Sequence, residues 1–359
     1  MKATVLGGGH GGHAAAADLA LQGHEVAFWR RDAAALERLG AAPRLTWIDA
    51  DGERQAPLRL ATSDLGEAMR EAEFVVAAVP ATAHEDLARA LAPHLRDGQV
   101  VYLPPGTFGS YLIARRVREH GCTARVAFAE TGTLPYLARK LGPSRIRVSA
   151  IATNLPTGVF PASDTRRALS VIRQAYPCAH PVEDALSAAL LNAGPIIHPP
   201  LILLNAGPLN RSRDFDIHNE GTQPVVRSLA DRLDRERIAT REALGYRSNH
   251  YPLRDHYEAR DWMYGPRSRS SLVESGDWRE PVDLFSHRYM REDVALGLGL
   301  LVSVADWAGC DAPVARALLE IAGAVCDERF EDGERSLRRL GLDRHSREQM
   351  NQLLQHGLT

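Results

Sequence analysis

KATVLGGGHGGHAAAADLALQ, residues 2–22, is the stretch whose reading decides the fold. A short β-favouring run, Ala3-Thr4-Val5-Leu6, enters the cluster Gly7-Gly8-Gly9-His10-Gly11-Gly12 and leaves as an alanine-rich helix. Gly7, Gly9 and Gly12 fit G-x-G-x-x-G directly after a strand and at the opening of a helix, the context a dinucleotide fingerprint requires. Gly7 permits the tight turn, Gly9 lets backbone approach a pyrophosphate, and Gly12 lets helix and strand pack closely. Gly11 belongs to the same cofactor-binding loop. The helix start adds unpaired N–H groups and the positive end of its dipole. An ordinary glycine-rich βα turn is the bland alternative, but small residues at 14–17 suit a helix pressed onto a sheet in an N-terminal βαβ unit. No Lys-Ser/Thr pair follows Gly12, which excludes a mononucleotide P-loop.

Working outward, residues 24–29 read as the second strand, ending in Arg30-Arg31-Asp32. The adenine-side ribose belongs here, where a carboxylate selects the 2′-OH of NAD and an arginine suits the 2′-phosphate of NADP. Arg30 and Arg31 come first, so NADP(H) is favoured; NAD(H) is the alternative in which Asp32 turns back to the ribose. The same arginines count against FAD. Residues 33–39 and 65–71 read as helices and 58–62 as a strand. Residues 74–79 are continuously apolar, as a parallel strand covered on both faces should be. That run ends at Pro80, expected at the cofactor crevice. Strands are expected at 100–103, 126–129 and 146–152, and helices at 84–95 and 164–175. Ligands of open α/β sheets bind outside the carboxyl ends of the strands, so Glu130 is a candidate substrate-binding residue, with a loop cap as the equal alternative.

Beyond about residue 182 the pattern is helical. The expected architecture is an N-terminal Rossmann-type, doubly wound parallel sheet over residues 1–181, followed by an all-α substrate domain over residues 182–359. Residues 185–204 are apolar, interrupted by Gly194-Pro195 and Pro199-Pro200, and carry one ionisable side chain, His198. A lone buried histidine is ordinarily bonded to a carbonyl. Residues 225–244 read as a charged amphipathic helix. Residues 249–281, rich in Arg, Ser, Gly and aromatics, read either as a mobile substrate lid or as a long surface connection. A glycine-containing apolar helix is expected at 295–307, and another through Cys326, with Asp311 as its N-cap and Pro313 in its first turn.

Composition sets the outer limits. A chain of 359 residues, 45% hydrophobic and 25% charged, is an ordinary globular one of about two domains. Its net charge of −2 provides no electrostatic pull toward nucleic acid or an anionic membrane. No apolar run is read as approaching the ~18 residues of a membrane span, and no signal peptide is expected. Four cysteines without zinc spacing, Cys122, Cys178, Cys310 and Cys326, read as reduced thiols of a cytoplasmic protein, and no metal site is expected. Of 43 basic side chains only Lys2 and Lys140 are lysines, which disfavours any mechanism built on a catalytic lysine.

Seven segments together carry a resemblance. They are residues 7–20 (GGGHGGHAAAADLA), 75–81 (VVAAVPA), 129–131 (AET), 192–207 (NAGPIIHPPLILLNAG), 220–226 (EGTQPVV), 288–298 (RYMREDVALGL) and 337–342 (LRRLGL). With these the chain resembles the opine dehydrogenases, the octopine/nopaline dehydrogenase family, over nearly its whole length. The His-Pro segment followed by the Arg-Tyr-x-x-Glu-Asp segment is the discriminating part. The resemblance implies an NAD(P)-dependent oxidoreductase that condenses an amino acid with a 2-oxo acid and reduces the imine to a secondary amine dicarboxylate. It implies His198 as catalytic acid/base, Asp293 as its partner and Arg288 as the anchor of a substrate carboxylate. Histidine titrates near neutrality, a carboxylate on its other nitrogen fixes the tautomer, and arginine grips a carboxylate at two points. For Arg288 and Asp293 the alternative is a surface salt-bridge cluster with Arg291 and Glu292. Reductases of the 3-hydroxyacid, glycerol-3-phosphate and ketopantoate type share the N-terminal pattern but use a lysine early in the second domain, and this chain has none after Lys140. A non-catalytic NADP(H) sensor would not need a His–Asp pair. A homodimer is the expected assembly if the chain self-associates.

Overall fold

The structure is a computed structural model that describes residues 1–266 and 268–358. Twelve strands form two sheets. They are β1 (Lys2–Leu6), β2 (Glu25–Trp29), β3 (Arg44–Asp49), β4 (Gly52–Pro57), β5 (Leu60–Thr62), β6 (Phe74–Ala77), β7 (Val100–Leu103), β8 (Ala127–Thr131), β9 (Tyr136–Lys140), β10 (Arg145–Ile151), β11 (Leu155–Phe160) and β12 (Ala179–Pro181). The larger sheet has the order β12-β11-β8-β7-β6-β1-β2-β5. Its centre is parallel and buried on both faces, which is why β6 and β7 are unbroken apolar runs and β1 is buried from Ala3 to Leu6. It is a Rossmann-type sheet of mixed direction rather than a wholly parallel one, because β11 runs antiparallel to β8.

The second sheet, β4-β3-β10-β9, was not foreseen. The strand expected at 146–152 to complete the nucleotide domain is β10, Arg145–Ile151, and belongs here. The physical reason lies in the strands themselves. In β4 only Ala56 is buried, and β10 alternates buried and accessible side chains only over its first half. Neither has the apolar run of a central strand. The helix His10–Leu21 is packed between the two sheets, against β1 and β2 on one side and β3, β4, β9 and β10 on the other. Being covered on both sides, it is rich in small side chains, with Ala14 to Ala17 at most 1% exposed, and its His13 and Asp18 are hydrogen-bonded to the Pro143 carbonyl and the Tyr136 hydroxyl. Alanine is the residue that lets two sheets approach one helix this closely.

After Pro181 the described elements are helical. The apolar segment 185–204 divides into Ala185–Ala189 and Gly194–Leu204. Pro195 sits in the first turn, where a missing N–H costs nothing, whereas Pro199 and Pro200 lie inside a helix that continues through them. This segment also corrects the membrane reading. By length and mean hydropathy (1.4) residues 185–204 are apolar enough to cross a bilayer, and 72% of the tested window is buried within the protein. A π-helix, Tyr289–Leu298, leads into Gly299–Ala308, and the last helix, Arg347–His356, returns to pack on β11.

Candidate functional site

The glycine loop has the geometry its sequence demands. Gly7 has φ +118°, and a Cβ there would meet the Ala78 carbonyl oxygen at 2.3 Å. A Cβ on Gly12 would meet the Gly7 carbonyl oxygen at 1.8 Å, so only glycine lets the helix sit against β1. A Cβ on Gly9 would meet nothing within 4 Å, so the Cα side of this residue is open to a pyrophosphate. No side chain caps this helix start, and its N–H groups stay available. At Gly11 the neighbour is the Leu134 side chain, at 2.6 Å from a Cβ. The second sheet closes over the loop, with Lys140 donating its backbone N–H to His10 Nδ1 at 2.8 Å and its Nζ to the Gly8 carbonyl at 3.2 Å.

A cavity beside the loop is lined by Gly7, Gly9, Arg30, Arg31, Pro80 and their neighbours. The Arg30 guanidinium lies against Gly8, with Nε 2.8 Å from where a Cβ would stand. Its Nη2 donates to Asp32 at 3.2 Å, while Nε and Nη1 are buried with no partner. Asp32 is committed elsewhere, since its carboxylate also caps the helix Ala33–Glu37 through the Ala35 N–H. Arg31 is exposed at the rim. Buried guanidinium N–H groups without acceptors are costly unless an anion arrives, and a nucleotide phosphate supplies one. The residues present therefore fit a dinucleotide.

The catalytic candidates come together by reciprocal notches between two helices. Gly194, one turn before His198, faces Asp293, so that a Cβ would lie 2.1 Å from Asp293 Oδ1. Gly297, one turn after Asp293, faces Pro195, with 2.2 Å from a Cβ to Pro195 Cγ. The two glycines let Gly194–Leu204 and Tyr289–Leu298 touch, and His198 Nδ1 meets Asp293 Oδ2 at 2.7 Å. A carboxylate can only accept, so Nδ1 carries the hydrogen and Nε2 presents its lone pair. Asp293 sits within the π-helical turn, a rare backbone form that concentrates at functional sites. The Tyr289 ring stacks on the imidazole with centroids 3.7 Å apart, and its hydroxyl meets His218 Nε2 at 3.0 Å. Burial pulls the His198 pKa below its ordinary value, and Asp293 partly restores it. His198 is thus bonded to a carboxylate rather than to a carbonyl, and the pair is not at the surface. Of the neighbouring charges only Arg291 is in a surface ion pair, with Glu328 at 2.6 Å, whereas Glu292 accepts the Ala81 N–H at 2.9 Å and ties this helix to the cofactor loop.

The catalytic candidates line a second cavity, which reaches the glycine loop at His10. Its lining includes His10 of the glycine loop, Pro105, His198, Asp293 and Arg288. Arg288 has no hydrogen bond or ion pair to another described residue; its guanidinium stands 5.7 Å from the Tyr289 ring and faces the cavity. The segment 249–281 forms a wall through Trp262, Tyr264, Arg269, Leu272 and Trp278 rather than a surface connection. It is held to the second sheet by Arg139, which donates to the Asp277 carbonyl and to Glu280 and stacks on Trp278 at 3.9 Å.

Glu130 is a correction. Its carboxylate is fully buried and accepts the backbone N–H groups of Phe108 and Ser110, both at 2.8 Å, capping the helix Gly109–Glu119. Burial raises its pKa to about 7 against the pull of those amides, and it does not line the cavity. Residues the sequence reading passed over are Tyr289, inside a quoted motif but unassigned, and His218, Arg139 and Arg269, for which no local pattern exists.

Comparison with known proteins agrees with this geometry. Residues 181–326 match the family described as NAD/NADP octopine/nopaline dehydrogenase, alpha-helical domain, and residues 2–110 match the NAD-dependent glycerol-3-phosphate dehydrogenase N-terminus. An opine dehydrogenase of Arthrobacter sp. (strain 1C) is 31% identical over 346 residues, 94% of each chain. Octopine dehydrogenase in complex with NADH and agmatine superposes with a TM-score of 0.73 at 20% identity, over 100% of this chain and 99% of that one. Yersinopine dehydrogenase with NADP+ bound gives 0.65 at 16% identity, over 99% and 98%. At these identities the two structures speak for the fold alone.

Proposed function

Because the chain belongs to the opine dehydrogenase family, and so is an NAD(P)-dependent oxidoreductase, we propose that it joins an amino acid to a 2-oxo acid through an imine that is reduced to an N-(carboxyalkyl) amino acid, with NADP(H) as the preferred cofactor. We also propose that residues 1–181 serve the nucleotide and residues 182–359 the substrates. The observation that carries this reading is the 2.7 Å His198–Asp293 pair in a cavity that begins at the glycine loop and contains the unpaired Arg288.

A bound NADP(H) would supply the hydride; Gly7, Gly9, Gly11 and Gly12 would hold its pyrophosphate, with Pro80 at the crevice and Arg30 and Arg31 at the adenine-side ribose. Arg288 takes the oxo-acid carboxylate in a two-point grip, which fixes the position of the carbon to be reduced. As the amine adds to the carbonyl and water leaves, protons pass through Nε2 of His198. Asp293 holds the ring in the tautomer that leaves this nitrogen free and stabilises the imidazolium when it forms. Tyr289 covers one face of the ring, so the imidazole cannot swing away. The NADP preference rests on the two unpartnered buried nitrogens of Arg30 and on the engagement of Asp32 as a helix cap.

A panel pairing amino acids with pyruvate, glyoxylate and 2-oxoglutarate, followed by NADPH absorbance and product mass, tests the proposal. Turnover of at least one pair is expected, with His198→Ala abolishing it while NADPH still binds. A fully active His198→Ala enzyme would overturn the assignment.

A further inference from the structure

The cavity holds more positive charge than one carboxylate can satisfy. Arg139 is spent on Asp277, Glu280 and Trp278, but Arg269 is not. This half-buried residue, on the helix Ser268–Glu274, lines the same cavity as His198 and Arg288. Among the described residues it has no ion pair and rests only on the Tyr257 ring, 5.5 Å from its centroid. The Arg227 guanidinium lies 5.3 Å from that same ring, so two like charges rest on one aromatic side chain. Burial and Arg227 together lower the Arg269 pKa, the direction expected of a cation lacking its anion. An unpaired, partly desolvated guanidinium is unfavourable to keep, and a ligand carboxylate relieves it.

The remaining charges do not change this balance. Burial pushes the pKa values of His10, His198, His218 and His256 down, so these lining rings are neutral near pH 7. Asp293 is the one acidic residue among the described lining residues, and it is bonded to His198. The cavity therefore presents two free guanidinium groups on separate segments, and its lining also includes the aromatic and aliphatic side chains of Tyr257, Trp262, Tyr264, Leu272 and Val273.

We propose that Arg269 is a second carboxylate anchor, holding the α-carboxylate of the amino acid while Arg288 holds that of the oxo acid, and that the accepted amino acids carry uncharged side chains. This rests on the condensation proposed above, whose product has one carboxylate on each side of its secondary amine. Two separated forks suit that dianion. A lysine-like or arginine-like side chain would find Arg269 and Arg227 near it and no free carboxylate to balance them.

The test compares wild type, Arg269→Gln and Arg269→Lys using an amino acid with an uncharged side chain, its decarboxylated amine, and pyruvate. In wild type the amine should be used about 10- to 100-fold less well than the amino acid, the worth of one charge-assisted, bidentate contact. Arg269→Gln should raise the KM for the amino acid by that factor and erase the discrimination against the amine. KM for pyruvate and NADPH affinity should stay within about twofold. Arg269→Lys keeps the charge without the fork and should retain part of the discrimination. A purely structural Arg269 would instead lower activity on amine and amino acid alike, which overturns the proposal. Product binding, read by tryptophan fluorescence without turnover, separates this inference from the reaction it rests on. A dicarboxylate that binds wild type but is lost in Arg269→Gln supports the anchor even if no substrate pair is reduced, and equal binding to both refutes it.

Discussion

Gly194→Ala tests the geometry of the site without touching any group that does chemistry. The added methyl would lie 2.1 Å from Asp293 Oδ1, 2.8 Å from its carboxyl carbon and 3.4 Å from Asn192 Oδ1. Real Cβ contacts below 3.0 Å are essentially never seen, so the carboxylate must retreat by about 1 Å or the two helices must part by as much. A displacement of that size along the bond takes the 2.7 Å contact with His198 beyond hydrogen-bonding range. Misplacement by 1 Å costs on the order of 100-fold in rate. Overpacking would also cost about 1–3 kcal/mol of stability. Helix propensity favours alanine by roughly 0.5–1 kcal/mol, so propensity cannot be the source of a loss. The assay is kcat by NADPH absorbance, with NADPH affinity and thermal unfolding measured on the same preparations. Gly207→Ala is the control: it lies in a helix with nothing within 4 Å of its Cβ position, and it should be fully active and no less stable. A Gly194→Ala enzyme with wild-type kcat would refute the claim that these glycines set the His–Asp contact.

On the proposed NADP reading, Arg30→Asp should weaken NADPH binding by about 10- to 100-fold and improve NADH binding, because it removes the unpartnered nitrogens assigned to the 2′-phosphate; titration of both cofactors by fluorescence checks it, and unchanged ratios would reject it. Arg288→Met should raise the KM for the oxo acid by at least about tenfold with NADPH affinity unaltered. The pH profile follows from the direction of the His198 shift. Burial holds its pKa below the ordinary 6.5, so in the oxidative direction, where neutral Nε2 is the base, kcat should rise as pH increases through an acid limb below 6.5 and then level off. Asp293→Asn removes the partner that pulls this pKa back up, so the limb should move to lower pH while the plateau falls by about 10²- to 10⁴-fold. A limb that stays in place would separate Asp293 from the titration.

How much of this was legible in the sequence depended on whether the constraint was local. The glycine loop could be read because each glycine answers a contact within one βα turn, and the place of Arg30 beside that loop because it follows the second strand directly. The His–Asp pair spans ninety-five positions, and only the resemblance joined them. The physical link lies in a pair of notches, Gly194 against Asp293 and Gly297 against Pro195, that become visible once the helices touch. Glu130 shows the opposite failure. A carboxylate at the carboxyl end of a central strand can serve a ligand or the next helix start, and here two backbone N–H groups took both oxygens. The second sheet escaped because its strands lack the uninterrupted apolar run of a central strand: in β4 only Ala56 is buried, and β10 buries only Ile146 and Val148. That sheet nevertheless matters to the site. Through Arg139 and Arg147 it holds the segment around Asp277, and through Lys140 it holds the glycine loop. The wall of the candidate substrate cavity and the glycine loop are therefore fastened to the same four strands.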